Sequence, residues 1–229
     1  MKISVVIPVY NEEKHIGACL QSLQKQTTPP DEIIVVNNNS TDASVAIAQK
    51  YGVKIVNEKQ QGIIYARNRG FDEAQGDIIA RTDSDALLPQ NWIEKIKSHF
   101  QNYAVDAVGG PIVYYDLPFN TPLPAKIFLH LLKHIQKGEP ALLGPNMTIK
   151  KEMWNKIKND VCLKDSQVHE DIDLSIHIRR AGGKIISDDT LIVHTTARRI
   201  KQHPLSFFIE YPRRLINTFR IHKNVERGT

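Results

Sequence analysis

The sequence predicts an α/β fold with a mostly parallel central sheet between layers of helices. The first hundred residues alternate between strand-like and helix-like hydrophobic periods, and Ile3–Val9 is a nearly continuous β-branched run. Such a run is typical of a strand buried on both faces of a parallel sheet, and strand–helix alternation implies right-handed crossovers. With 229 residues, 41 % of them hydrophobic, the chain can form one sizeable domain with a short appendage.

Capping residues and glycines in the sequence predict where the elements of the first half begin and end. Asn11 is expected to cap the first helix, with Glu12 and Glu13 in the turn where the helix dipole favours carboxylates. Gly76 closes the third helix. In chain order we predict the strand Ile3–Val9, a helix carrying Ile16, Leu20 and Leu23, the strand Glu32–Val36 and a helix carrying Val45, Ile47 and Ala48. Ser40, Thr41 or Asp42 can cap this second helix. The strand Val53–Val56, the helix Ile63–Ala74 and the strand Asp77–Ala80 follow.

The second half is less regular, and no repeat or low-complexity segment is visible in it. Residues 1–200 are expected to form the main domain, with 1–110 and 111–200 as its two halves, followed by a tail at 201–229. The predicted elements are the helix Trp92–Phe100, the strand Ala107–Tyr114, the helices Ala125–Gln136 and Glu170–Arg180, and the strands Lys184–Ser187 and Leu191–His194.

The net charge of +5 is concentrated near the C-terminus. Residues 198–229 contain eight Lys or Arg against two Glu, so the rest of the chain is almost neutral. This asymmetry argues against a nucleic-acid-binding protein and indicates a basic amphipathic helical tail that meets an anionic surface. Pro212 is expected to split that tail into two short helices. The apolar residues interleaved with the cations are Phe207, Phe208, Leu215, Ile216 and Phe219.

Two readings of the tail stay open from sequence. It can lie on an anionic membrane, or it can pack against the domain or a sister subunit. Cys19 and Cys162 are far apart without metal-ligand spacing, which favours a reduced, cytoplasmic location, on the inner face of the cell membrane if the tail binds lipid. No signal-peptide pattern is visible, and no apolar segment approaches the roughly 18 residues of a membrane span.

Three polar loops follow the ends of predicted parallel strands. They are Tyr10-Asn11-Glu12, Asn37-Asn38-Asn39 and Asp83-Ser84-Asp85. Ligands of open α/β sheets bind beyond the carboxyl ends of the strands, so we expect these loops around one crevice. The carboxylates of Asp83 and Asp85 can hold Mg²⁺ or Mn²⁺ that also contacts phosphate. The alternative is a turn that caps the following helix.

Other candidate residues lie in the second half. A carboxylate in His169-Glu170-Asp171 can accept a proton as a general base, or Glu170 and Asp171 can simply satisfy a helix N-terminus. His194 can be a third metal ligand, and Arg198 with Arg199 can clamp a diphosphate. The alternative for these is a solvated strand end. His130 and His134 resemble a metal pair, but the nearby Lys126, Lys133 and Lys137 favour a solvated or acceptor-facing surface.

Together these segments resemble the family 2 glycosyltransferases, over roughly residues 2–200. Ser4 to Glu13 is similar to the family's opening strand and donor-binding loop, and Asp31 to Asp42 to its second strand and nucleoside-binding loop. Ala66-Arg-Asn-Arg-Gly70 and Ala74-Gln-Gly-Asp77 resemble the segment before the Asp-x-Asp motif. His169 to Gly183 resembles the helix whose aspartate is the catalytic base.

The resemblance implies the GT-A fold, a Rossmann-like α/β/α sandwich, with residues 1–110 binding a nucleotide sugar and 111–200 an acceptor. It implies an inverting transfer to a glycan or lipid-linked acceptor with Mn²⁺ or Mg²⁺, and Asp171 as base. Asn37 and Asn38 replace acids common in the family, so the resemblance does not fix which nucleobase the chain prefers in its donor. The implied metal ligands are Asp85, Asp83 and His194, and the implied donor-binding residues are Pro8, Val9, Tyr10, Glu12, Asn38, Arg67, Asp83, Ser84 and Arg198.

Two other functions remain open at this point. A sugar-phosphate nucleotidyltransferase would share the nucleotide-binding layout and the metal. Members of that class have a Gly-rich loop after the first strand, whereas this chain has Pro8-Val-Tyr-Asn-Glu-Glu13 there. A non-catalytic nucleotide- or lipid-binding module is the other alternative. A candidate metal pair together with a candidate base argues against the module.

Overall fold

The computed structural model describes residues 1–118, 120–136, 138–164 and 166–227. Lys137 therefore lies outside the described residues, as does the side chain of Phe207. The strands are β1 (Ile3–Val9), β2 (Glu32–Asn37), β3 (Lys54–Asn57), β4 (Ile78–Arg81), β5 (Ala107–Gly109), β6 (Ile112–Tyr114), β7 (Met147–Lys150), β8 (Ile185–Ser187) and β9 (Val193–Thr195).

Seven strands form the central sheet in the order β3-β2-β1-β4-β7-β5-β8. All its strand pairs are parallel except those of β7, which runs antiparallel to both β4 and β5. The strands β6 and β9 form a separate parallel pair. Because β4 pairs with β7, the two predicted halves of the domain share one sheet.

Helices cover both faces of this sheet. The helices of the described residues are α1 (Ile16–Gln24), α2 (Ser44–Gln49), α3 (Ile63–Glu73), α4 (Trp92–Asn102), α5 (Leu123–Ile135), α6 (Lys151–Ile157), α7 (Glu170–Arg180), α8 (Arg198–Gln202) and α9 (Tyr211–Arg227), of which α5, α8 and α9 lie outside the two clusters that pack on the sheet. Alternate residues of β1 enter opposite cores: Val5 and Ile7 pack with α1 and α4, whereas Val6 packs with α3, α6 and α7. The predicted α/β/α sandwich with a mostly parallel sheet is confirmed.

The predicted single strand at Ala107–Tyr114 is wrong. The chain leaves the central sheet after β5 and starts β6 beside β9, with Gly110 and Pro111 between them. A Cβ on Gly110 would lie 2.9 Å from the Asp188 carbonyl oxygen, so only glycine fits at this break. The sequence also gave no prediction of β7, which lies in the middle of the sheet.

Asn11 does not cap the first helix. That helix begins only at Ile16 and has no side-chain cap. Asn11 instead adopts a left-handed backbone with φ of 54°, and its Oδ1 accepts a hydrogen bond from the Thr41 amide at 2.8 Å. It therefore ties the first polar loop to the second.

The tail consists of α8, a π-helical turn at Ser206–Glu210, and α9. Pro212 does not split the tail into two separate helices as predicted, since the π-helical turn continues directly into α9, which contains Pro212. Thr218 and His222 of α9 are buried, so this helix packs on the domain. Within the described part of the chain, no helix is both long and apolar enough to cross a membrane.

Candidate active site

Asp83 and Asp85 lie in the loop that directly follows β4. Asp83 Oδ1 accepts a hydrogen bond from Arg81 Nη2 at 2.9 Å, and Asp85 accepts hydrogen bonds from the hydroxyls of Thr195, at 2.8 Å, and Thr196. Burial raises the pKa of Asp83 to about 6; Arg81 opposes this shift, and the negative charge of Asp85 adds to it. The loop therefore holds two carboxylates that repel each other.

This donor set fits a divalent cation. Carboxylate oxygens are the preferred ligands of Mg²⁺ and Mn²⁺, and a cation would relieve the repulsion between Asp83 and Asp85. Beside the pair, Arg81 Nε and Thr82 Oγ1 are buried and have no hydrogen-bond partner among the described residues. They are polar atoms that a bound ligand or its water could satisfy.

His194 does not lie with this pair. Side chains alternate along a strand, so His194 and its neighbour Thr195 on β9 point to opposite sides, and it is Thr195 that contacts Asp85. Among the described residues, Asp83, Asp85 and His194 are not a compact group of metal-ligand atoms. As a third ligand, His194 stays a prediction.

Arg81 connects the acidic pair to the start of α7. Its buried guanidinium donates to Asp83 and also to the carboxylate of Glu170. Burial opposes the charge, but Glu170 and Asp83 raise the pKa of Arg81, so it stays protonated. A Cβ on Gly144 would lie 2.6 Å from Arg81 Nη1, so the cation occupies space that only glycine leaves open. Sequence reasoning missed Arg81, although a charged residue ending a buried apolar strand was a usable signal.

Arg67 is fully buried and pairs with the same carboxylate. Its Nη1 donates to Glu170 Oε2 and, at 2.9 Å, to the Glu170 carbonyl oxygen. Its other nitrogens donate to Asn68 Oδ1. The structure thus places Arg67 behind α7, where it supports Glu170.

Asp171 is buried beside Glu170 and is surrounded by donors. His169 Nδ1 lies 2.6 Å from Asp171 Oδ1, the Ile172 amide donates to the same oxygen, and the Gly144 amide donates to Oδ2. Burial alone would raise the pKa of Asp171, but His169 and the amide donors lower it to about 2. Asp171 is therefore ionised at neutral pH, with His169 as its partner.

The tail reaches this pair. The Tyr211 ring at the start of α9 packs edge-on against the His169 ring, with centroids 4.8 Å apart. Arg199 Cζ lies over the Tyr211 ring, 4.7 Å from its centroid. The first turn of α9 therefore forms one wall beside the candidate base.

The first polar loop contributes Tyr10 and Glu12. Tyr10 is exposed, whereas Pro8, Val9 and also Ser84 in the acidic loop are buried. Both carboxylate oxygens of Glu12 accept hydrogen bonds from Arg198, one from Nη2 and the other, at 2.8 Å, from Nη1. Arg198 is thereby held at the crevice by an acid 186 positions away.

Asn38 uses its whole side chain to hold a neighbouring loop. Its Nδ2 donates to the carbonyl oxygens of Glu58 and Gln60, and its Oδ1 accepts from the Gly62 amide at 2.8 Å. Both amide protons are occupied. The structure thus gives Asn38 the role of shaping the loop before α3.

A second group of ligand-type side chains lies away from the crevice. Single ligand atoms of Asp173, His177 and His222 lie within 4.8 Å of one another. Arg180 Nη1 lies 2.8 Å from His222 Nδ1, and because guanidinium only donates, His222 carries its proton on Nε2 and donates to Asp173 Oδ1. A metal-bound histidine donates its other ring N–H to an acceptor. Arg180 therefore opposes a metal here, and the group fastens α9 to α7.

Comparisons with known proteins agree with this arrangement. The family model described as Glycosyl transferase family 2 matches residues 4–161, more than half of the chain. The chain is 36 % identical over 120 residues to the glycosyltransferase AglE of Haloferax volcanii, covering 49 % of this chain and 40 % of AglE. It is 28 % identical over 207 residues to a cholesterol galactosyltransferase of Borreliella burgdorferi, covering 80 % of this chain and 57 % of that protein.

Among solved structures, the mannosyltransferase PcManGT of Pyrobaculum calidifontis, in complex with GDP-Man and Mn²⁺, superposes with a TM-score of 0.76 at 21 % identity. The match covers 97 % of this chain and 64 % of that one, and it shows the shared fold. The chain spans less than two thirds of the length of each of these proteins. Asp171 and His194 lie beyond the residues that the family model matches.

Proposed function

The chain belongs to glycosyl transferase family 2, and from that membership we propose that it transfers a sugar from a nucleoside-diphosphate sugar to an acceptor, with inversion at the anomeric carbon. The observation that carries the proposal is the link from Asp83 through Arg81 and Glu170 to the turn that holds Asp171. This link supports a metal-binding pair and a base that act on one bound donor.

Asp171 is the proposed base. It takes the proton of the acceptor hydroxyl while that oxygen bonds to the anomeric carbon, and the bond to the diphosphate breaks with its electrons on the diphosphate. His169 holds Asp171 ionised and oriented. The attack comes from the face opposite the diphosphate, which gives inversion.

Asp85 and Asp83 would hold Mn²⁺ or Mg²⁺, with Thr195 and Thr196 positioning Asp85. The bound cation supplies neutralisation of the charge that grows on the leaving diphosphate. His194, which follows Leu191-Ile-Val on the chain and neighbours Thr195 on β9, is the proposed third ligand. Asp83 would reach the ribose or the waters of the cation.

The donor would lie across the first polar loop. Pro8, Val9 and Ser84 form its buried floor, and the exposed ring of Tyr10 offers a surface for the base. Arg198 would exchange Glu12 for the diphosphate. Asn38 and Arg67 would act through the backbone they hold, Asn38 on the 58–62 loop and Arg67 on Glu170.

We infer a glycan or a lipid-linked saccharide or polyprenyl phosphate as the acceptor. The Borreliella relative, whose name gives cholesterol as its substrate, supports a lipidic acceptor. The exposed apolar side chains of the tail, among them Leu205, Ile209 and Ile216, support contact with an anionic membrane surface on its cytoplasmic side.

A donor screen tests the reaction. The protein is incubated with Mn²⁺, an acceptor mixture and UDP-, GDP- or dTDP-sugars, and release of nucleoside diphosphate is followed. Pyrophosphate release from a nucleoside triphosphate and a sugar phosphate would instead indicate a nucleotidyltransferase. Tight binding without turnover would indicate a binding module.

Variants locate the chemistry. We expect Asp171→Asn to lower kcat by about a hundredfold to ten-thousandfold, because a general base is removed. Asp85→Ala should abolish both turnover and the Mn²⁺-dependent rise in melting temperature. Asp160→Asn, at an exposed position outside the crevice, is the control. Near-normal turnover of Asp171→Asn would refute the assignment of the base.

A further inference from the structure

Helix α5 exposes a row of large apolar side chains. Between 48 % and 63 % of each residue is exposed, which is unusual for so many apolar residues on one helix. Four of the five follow one another at intervals of four residues, so they line one face. They are Leu123, Ile127, Phe128, Leu131 and Ile135.

The other face of α5 is firmly packed. Leu129 and Leu132 are buried in a core cluster with Ile172 and Ile176 of α7. Arg179 of α7 also donates to Gln136 Oε1 just after α5. Helix α5 is therefore packed firmly on the domain through one face and exposes the apolar row on another.

The tail is seated on the same cluster. Leu215 and Phe219 of α9 pack against it, while Ile216 and, in the turn before α9, Ile209 are exposed. We use the name apolar face for the α5 row together with Leu205, Ile209 and Ile216 of the tail. Helices α5 and α9 both pack on the cluster that contains Ile172 and Ile176 of α7.

The charges around this face select its partner. Within α5 the ionisable side chains are Lys126, His130, Lys133 and His134, with no acid. Asp189 borders the row, and Glu210 of the tail pairs with Arg214. Two copies of α5 placed together would bring lysines against lysines. Anionic lipid headgroups above an apolar interior complement both the cations and the row.

We propose that the α5 row inserts into the interfacial region of an anionic bilayer, as a second membrane contact besides that of the tail. This extends the tail contact of the proposed function to a helix inside the acceptor-side half and does not depend on the reaction. Ile172, in the cluster beneath the face, directly follows Asp171. Docking therefore brings the candidate base close to the bilayer surface, where the head of a membrane-embedded acceptor would meet it.

Vesicle flotation of the full chain tests the proposal. We expect binding to phosphatidylcholine vesicles that contain phosphatidylglycerol and little binding to phosphatidylcholine alone. Ile127→Ser/Leu131→Ser should lower the partition coefficient by about tenfold or more, because two large apolar side chains no longer insert. Lys126→Glu/Lys133→Glu should lower binding to the anionic vesicles. Tyr103→Ser/Leu163→Ser changes two equally exposed apolar residues elsewhere and should bind like the parent.

A second experiment measures a fluorescence change that appears when α5 inserts into the bilayer, so that a variant that has merely misfolded cannot produce the expected result. Trp92 and Trp154 are buried, so a Leu131→Trp variant reports its own environment, and its emission should shift to the blue with anionic vesicles. Tyr103→Trp should not shift. Unchanged flotation of the Ile127→Ser/Leu131→Ser variant overturns the proposal. So does a change from dimer to monomer in that variant with vesicle binding intact, which would make the face a subunit interface. Donor cleavage without vesicles, measured on the same proteins, reports separately on the proposed reaction.

Discussion

At the scale of single residues, the site depends on Arg81. One buried guanidinium joins Asp83 of the acidic loop after β4 to Glu170 at the start of α7. Glu170 in turn binds Arg67, so two arginines enclose one carboxylate. Buried charges persist only when they are paired, and each member here has its partner. Loss of Arg81 would leave Asp83 without its arginine, and loss of Glu170 would leave the fully buried Arg67 without a carboxylate partner.

The pair His169–Asp171 gives a prediction about pH. Burial would lower the pKa of His169, but Asp171 raises this pKa above its ordinary value. The stabilisation that protonated His169 gives the folded protein is therefore complete below about pH 6.5 and is lost as the pH rises through the pKa in the folded state. Asp171, with its lowered pKa, stabilises above about pH 4. We expect His169→Gln to lower the free energy of unfolding by about 1–2 kcal/mol between these limits and by less at higher pH.

Urea unfolding at about pH 5.5 and about pH 9 measures this difference. His134→Gln, on the exposed surface of α5, is the control and should be neutral at both. An equal cost of His169→Gln at both pH values would mean that the histidine carries no charge in the folded protein.

Asn38 and Arg67 illustrate what residue types alone leave undecided. Both have the chemistry for a nucleotide-sugar ligand, and their predicted role as donor contacts stays a prediction. In the structure the Asn38 amide is occupied by Glu58, Gln60 and Gly62, and Arg67 by Glu170. Those partners come from distant parts of the chain. A sequence pattern shows what a side chain can bind, and only the fold shows which partner reaches it first.

At the scale of elements, helix α3 packs unusually close to the sheet. A Cβ on Gly70 would lie 2.8 Å from Val36 Cγ2, too close without a shift of the helix or the strand. We expect Gly70→Ala to destabilise the protein by about 1–3 kcal/mol through overpacking. Gly17→Ala in α1 is the matched control, because its nearest atoms are 3.5 Å away, and it should stabilise by up to about 1 kcal/mol. Chemical denaturation of both variants measures the difference.

Helix α9 is fastened to α7 through Asp173. Although burial opposes it, hydrogen bonds from His177 and His222 lower the pKa of Asp173 well below its usual range. We expect Asp173→Ala to cost about 3 kcal/mol, because His222 and the Cys162 amide lose their buried acceptor. Hydrogen exchange should rise first along Tyr211–Arg227. Exchange that rises equally in β1 would contradict a local fastening.

Element prediction succeeded where the hydrophobic period was long. The helix Glu170–Arg180 and the strand Ile3–Val9 occur with the predicted bounds. Strand β7 was not predicted because its four residues show too little hydrophobic periodicity. Its position in the sheet is fixed only by its pairing with β4 and β5. The break between β5 and β6 escaped because the apolar pattern continues across Gly110, and the steric reason for the break lies at Asp188 and Leu191.

At the scale of the whole molecule, the two halves of the domain are joined through the sheet and through both tryptophans. Trp92 Nε1 donates to Asn146 at 3.0 Å, and Trp154 Nε1 donates to Asp72 at 2.9 Å. We therefore expect one cooperative transition in denaturant, coincident by tryptophan fluorescence and far-UV circular dichroism. Two separated transitions would show that residues 1–110 and 111–200 unfold independently.

The bond between Glu12 and Arg198 also bears on how the protein is made. Glu12 leaves the ribosome early and Arg198 only after nearly the whole sheet has been synthesised, with 186 positions between them. Contacts of such separation form late, since the chain between them must first be ordered. In a nascent chain Glu12, after the end of the first strand, would lack its arginine contact until the segment around Arg198 has emerged. This side of the crevice would then close after α7 and the candidate base are already in place.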